Sequence, residues 1–227
     1  MTPRTLAIPL VPMFMIAIAG CGGTTSEVQT DPKIDQYQIV QIAVLPFSVE
    51  PPSIGQERGY AAPAPPVSAA DTVRDIFYRK LKNRDGISVI PSYVVQDAMP
   101  TGSGTPLTMT QIKSIGEKLG AGAVLVGKVG VYKERAGSKI GLDRPQDAAE
   151  VGFVVELIRV RDGIPVWTGQ YYEQQRPANQ DISGFFERGP RYLTAEQLAE
   201  SAADHVLRKF PLGTPSQQPE SSKSAGQ

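Results

Sequence analysis

The chain has one cysteine, one histidine and one tryptophan in 227 residues, and its 23 Lys and Arg are balanced by 23 Asp and Glu. A single imidazole, His205, leaves no multi-histidine metal site and at most one partner for Ser-His-Asp or Cys-His chemistry. A lone thiol, Cys21, excludes an internal disulfide. Zero net charge removes the basic field that draws nucleic acid and the polybasic cluster that holds anionic lipid. The longest N-terminal apolar run, Thr5 to Ile18, falls short of the roughly 20 residues a membrane span needs and is broken by Pro9 and Pro12. The expectation is a chain without metal, cofactor or nucleic-acid partner.

What is present begins at the N-terminus. Arg4, the apolar run and the small residues after it have the layout of a secretory signal peptide over residues 1–20. Ile18-Ala19-Gly20-Cys21 resembles the bacterial lipobox. That resemblance implies cleavage before Cys21, diacylation of its sulfur and acylation of the new amino group. Two or three acyl chains anchor stably, since each buried CH₂ contributes about 0.8 kcal/mol. Gly22, where aspartate would favour inner-membrane retention, resembles the outer-membrane class facing the periplasm. Residues 21–36 then read as the lipidated cysteine and a polar, flexible tether. Its reach is about 5 to 6 Å times the square root of its length, so a partner is expected near the same membrane.

Residues 37–211 read as one α/β (α+β) domain with a mixed sheet, helices packed on it and a late antiparallel hairpin. "IVQIAVLPF" is a nearly continuous apolar run, the pattern of an internal strand covered on both faces. The Pro- and Gly-rich stretch Ser48 to Pro66 is too long for a simple connection, and such loops are often functional. Three helix starts carry capping-box spacing: Ser68 with Asp71, Thr108 with Gln111, and Thr194 with Gln197. "SYVVQDAM" predicts a short helix, and "AVLVGKVGVY" a second apolar strand. Alternation from Val151 to Leu157, the turn "RDG" and "IPVWTGQYYEQ" predict the hairpin. On the last helix Ala199, Ala202, Val206 and Phe210 face inward, and residues 212–227 read as a disordered tail.

"IAVLPF", "GAGAVLVGKV" and "VELIRVRDGIPVWTG" together resemble the group of envelope lipoproteins and relatives that includes CsgG, LpoB and the N-terminal domain of TolB. The resemblance implies the compact sheet-and-helix fold and a role in the cell envelope. A pore hairpin needs strands of about 9 to 11 alternating residues, whereas Lys133 to Ala149 is charged and rich in Gly and Pro, so the CsgG pore is not expected.

Catalytic signals are weak. Gly122 to Val129 has P-loop-like glycines and Lys128, but Val129 stands where Ser or Thr is required. Glu150, Glu156 and Glu173 are the carboxylates from which a wall- or glycan-acting hydrolase would draw its pair. Phe185, Phe186, Arg188, Arg191 and Tyr192 combine the aromatic and arginine side chains enriched at interface hot spots. Trp167, Tyr171 and Tyr172 put at least one aromatic on the outer face of the hairpin. The expected function is therefore non-enzymatic: a lipid-anchored protein that binds and positions or activates an envelope assembly, secretion or cell-wall component. The alternatives are the hydrolase and a homo-oligomeric secretion accessory.

Overall fold

A computed structural model describes residues 24–50, 64–100, 106–135, 148–175 and 193–216. Nine strands and four α-helices follow in the order β1 (Thr24–Thr30), a 3₁₀ turn (Ile34–Tyr37), β2 (Gln41–Val44), β3 (Ser48–Val49), α1 (Val67–Lys82), β4 (Arg84–Asp85), β5 (Ser88–Val89), α2 (Ser92–Ala98), α3 (Met109–Lys118), β6 (Ala123–Lys133), β7 (Glu150–Arg159), β8 (Pro165–Gln174), α4 (Ala195–Leu207) and β9 (Thr214–Pro215) among the described residues. The predicted α/β class, mixed sheet and hairpin are all observed. The main sheet runs β1-β8-β7-β6-β2-β5, with β3 also on β6; β2 is parallel to β5 and β6, and the rest of the path is antiparallel.

The hydrophobic pattern of each strand selects its layer. Ile42 and Val44 point into the larger core beneath α1 and α4, while Ala43 and Leu45 point into the smaller one beneath α2 and α3. All four are buried, so the continuous apolar run is a strand covered on both faces. Farther along the sheet only the α1/α4 face is continuously covered, and β6 and β7 accordingly alternate. Leu125, Val129, Phe153, Val155 and Leu157 are fully buried, whereas Val126, Lys128, Val154 and Glu156 are not.

Three boundaries differ from the sequence reading. The segment read as a flexible tether, 21–36, is folded from Thr24 onward: β1 lies on β8 through seven consecutive antiparallel pairs, and Ile34 enters the core. Its side chains are mostly exposed, so burial periodicity carries no trace of a strand held by backbone hydrogen bonds. The segment read as tail from 212 onward is ordered through Ser216, because Leu212 is buried and β9 pairs with β4. Third, α1 starts at Val67 with Pro66 as its extended N-cap, so Ser68 is already inside the first turn and caps nothing. The boxes at Thr108 and Thr194 are both formed.

Candidate functional site

From the end of β2 the path goes through α1 on one face of the sheet to β5, then returns through α2 and α3 on the other face to β6. A crevice of about 450 Å³ lies just beyond the carboxyl end of β2, lined by β6, β7 and the first turns of α1 and α3. Its floor is Val126 and Ile158; its walls are Phe47, Leu107 and Ile112; its rim carries Val67 and Met109. Val67 is 75% exposed and Met109 45%, so two large apolar side chains stand in solvent at the mouth. Met99 adds a second flexible thioether to the lining.

The inner wall of the crevice is closely packed. Pro46 ends the apolar run and turns Phe47 onto Gly127, where any Cβ would overlap the Phe47 ring. Phe47 stands at the end of an aromatic series: its centroid is 6.0 Å from that of Phe77, which meets Phe153 edge-on at 5.4 Å, and Phe153 stacks on Tyr171 at 6.0 Å. Polar groups are confined to the edge: Asp71 and Glu156 line the crevice, and Lys128 Nζ is 2.9 Å from Glu50 Oε1. That ion pair is half exposed and worth at most about 1 kcal/mol.

A second, more polar crevice of about 370 Å³ opens at the opposite end of the sheet, between Tyr37, Gln38, Gly122 and Arg161. Here the Arg159 charge is already paired. The Arg159 guanidinium sits 3.7 Å over the Tyr37 ring and donates to Asp162, and the Tyr37 hydroxyl donates to Asp31 at 2.7 Å. Asp31 is held below the ordinary carboxyl range, first by the Tyr37 hydroxyl and then by the Lys33 backbone N–H. Asp162 is lowered chiefly by Arg159, and Tyr37 is raised chiefly by its bond to Asp31.

The residues singled out by sequence fall in several places. Cys21 and the group Phe185, Phe186, Arg188, Arg191 and Tyr192 lie outside the described residues. Gly122 to Val129 approaches and enters β6, a strand and not a phosphate loop. Trp167 is core, edge-on to Phe210 at 4.9 Å; Tyr172, on the other face, is the half-exposed aromatic. Glu150 and Glu173 are buried, accepting from the Tyr172 and Tyr171 hydroxyls respectively, each at 2.6 Å. The register puts these two carboxylates on opposite faces of the hairpin. Glu156 shares the face of Glu150 but lies six residues along β7, about 20 Å away. The arrangement does not bring these three together as a pair. His205 is 5.6 Å from the Tyr171 ring and its Nδ1 is 2.7 Å from Arg208 Nη2. Among the described residues no three His, Cys, Asp or Glu are grouped to hold a metal, and no helix is long and apolar enough to cross a membrane. The sequence reading missed the crevice. Its visible signals were the apolar run broken by Pro46 and the exposed Met109 in a helix start.

No family model and no curated protein matches the chain. Among solved structures, a PelC dodecamer from Paraburkholderia phytofirmans is similar at 16% identity, covering 81% of this chain and 94% of that one, with a TM-score of 0.45. Lipoprotein GNA1162 from Neisseria meningitidis is similar at 18% identity, covering 75% and 99%, with a TM-score of 0.37. The LpoB C-terminal domain from Escherichia coli is similar at 14% identity, covering 60% and 83%, with a TM-score of 0.39. At these values the likenesses assign neither an activity nor a partner.

Proposed function

We propose that the chain is an outer-membrane lipoprotein anchored through Cys21, acting without catalysis, and that it binds and positions or activates an envelope assembly, secretion or cell-wall component at the crevice beside β2. One observation carries the reading. β1 begins at Thr24, three residues after the lipobox cysteine, so the folded domain starts within about 10 Å of the anchor. Cross-strand register places Thr24 level with Tyr132 of β6, while the crevice is level with Lys128. The two are about 13 Å apart along the strands. A binding site so close to the bilayer is suited to a partner seated in or on the same membrane, and a protein without a tether cannot extend through the wall.

The test is a photo-reactive amino acid placed at Val67 or Met109 of the native, acylated chain in intact cells, with the same label at exposed Val40 and Tyr93 as controls. A defined envelope protein captured from the crevice positions and not from the controls supports the reading. Equal capture from all four, or none, rejects the crevice as the binding surface. Cys21→Ala carries the anchoring half: the mutant is expected to accumulate as uncleaved, non-acylated precursor, and mature membrane-held protein would overturn it.

A further inference from the structure

β1 is the edge strand of the main sheet among the described residues. Among the described residues no strand lies on its outer side, and six of its seven residues are exposed. Natural edges are blunted by lysine, proline, a bulge or brevity. β1, TTSEVQT, has none of these: its register with β8 is unbroken from Thr24 to Thr30 and its one charge is Glu27. The opposite edge, β5, is two residues long and offers little template.

The direction of each backbone group follows from one bond. Asp31 N–H donates to Val166 C=O at 2.9 Å, so in an antiparallel ladder the odd-numbered residues of β1 bond to β8. Thr24, Ser26, Val28 and Thr30 therefore turn N–H and C=O outward.

We propose that β1 pairs antiparallel with β1 of a second copy of this chain, about a two-fold axis at Val28. Self-pairing about a two-fold places one residue opposite itself. An axis at Glu27 would set two carboxylates against each other. The axis at Val28 instead sets Glu27 opposite Gln29 of the second copy, Ser26 opposite its Thr30, and Val28 opposite its Val28. Glu27 and Gln29 are already hydrogen-bond partners within one strand, at 2.7 Å. Val28 packs its inner side on the core beneath α1 and α4, so the Val28 pair continues the two apolar cores across the seam. An isologous contact uses the same patch on both copies, so pairing through β1 closes the assembly at two.

The outward N–H of Ser26 provides the test. Proline there removes a donor that faces away from β8, a substitution edge strands tolerate. In the native chain in cells, E27C and Q29C are co-expressed and oxidised, with the parent chain as control for Cys21. The expected result is a disulfide-linked dimer at least about ten-fold above either variant alone, since positions 27 and 29 of opposing copies meet within disulfide reach and like positions do not. Adding S26P should abolish the dimer while the purified chain keeps its melting temperature within a few degrees. No dimer in the mixture, or E27C linking to itself as well as to Q29C, overturns the proposal. So does a dimer that survives S26P.

Discussion

Arg84 pairs with no carboxylate among the described residues. Its guanidinium is buried and donates to the carbonyls of Leu212, Phe210 and Gly213 at 3.0, 3.2 and 2.7 Å, with Leu207 at 3.5 Å, and lies 5.3 Å from the Phe210 ring. Burial pulls its pKa down from the ordinary arginine value, yet the site is one that wants a cation, because the negative end of the α4 dipole and the carbonyls of Phe210, Leu212 and Gly213 converge there. Arg84→Met is expected to destabilise the domain by about 2 to 4 kcal/mol in urea unfolding, the cost of leaving several buried carbonyls without donors. Arg84→Lys should recover only part, since an ammonium cannot span the carbonyls a fork reaches. Gly127→Ala is a packing counterpart: the new methyl meets the Phe47 ring first, and a loss of about 1 to 3 kcal/mol is expected along with an altered crevice. The exposed cluster at the far end predicts pH dependence. Asp31 and Asp162 have folded pKa values below the 3.8 of a free carboxyl, so their contribution is present above about pH 4 and is lost as pH falls through the folded values. Tyr37 is raised above 10.0, so its share is present below that pH and lost as pH rises. Tyr37→Phe removes the bond common to Asp31 and Tyr37; its unfolding free energy should vary less with pH at both extremes, and an unchanged profile would disprove the coupling.

At the scale of elements, the helix starts are the cleanest comparison of sequence with structure. The three capping-box spacings looked alike, and two formed. Thr194 accepts from the Gln197 backbone N–H at 3.2 Å, and Gln197 reaches back to the Thr194 N–H at 3.1 Å. At Ser68 the preceding Pro66 supplies the extended residue that opens the helix, which shifts the serine past the cap position. Thr194→Ala should therefore cost about 1 kcal/mol and Ser68→Ala less than about 0.5, measured as shifts in urea midpoint. Elements with a buried stripe were legible because burial imposes a period: β2, β6, the hairpin and α4 are found where their apolar residues place them. β1 was not, because its strand state comes from backbone pairing with β8, some 140 residues away in sequence, and all its side chains but Val28 record only solvent. The crevice was illegible for a related reason. Phe47, Val67, Met109 and Gly127 come from four elements or connections, and only the packing of α1 and α3 against β6 brings them together.

For the whole molecule, the proposed anchor decides where the protein acts. On the proposed acylation of Cys21, β1 starting three residues later holds the domain at the bilayer surface, together with whatever its crevice meets. Insertions between Gly23 and Thr24 make this quantitative. Twenty Gly/Ser residues give a root-mean-square reach of about 25 Å but let the domain return to the surface, diluting the encounter without forbidding it. Four EAAAK repeats of the same length form a semi-rigid spacer of about 30 Å that lifts the crevice away from the membrane. Capture of a partner from a photo-reactive group at Met109 is expected to weaken with the flexible insert and to disappear with the stiff one, while both chains stay in the membrane fraction. The pair of inserts separates the two parts of the reading. Loss from the membrane fraction would implicate the anchor, whereas membrane-held protein that captures its partner equally with either insert would place that partner beyond the bilayer surface and refute a membrane-proximal site.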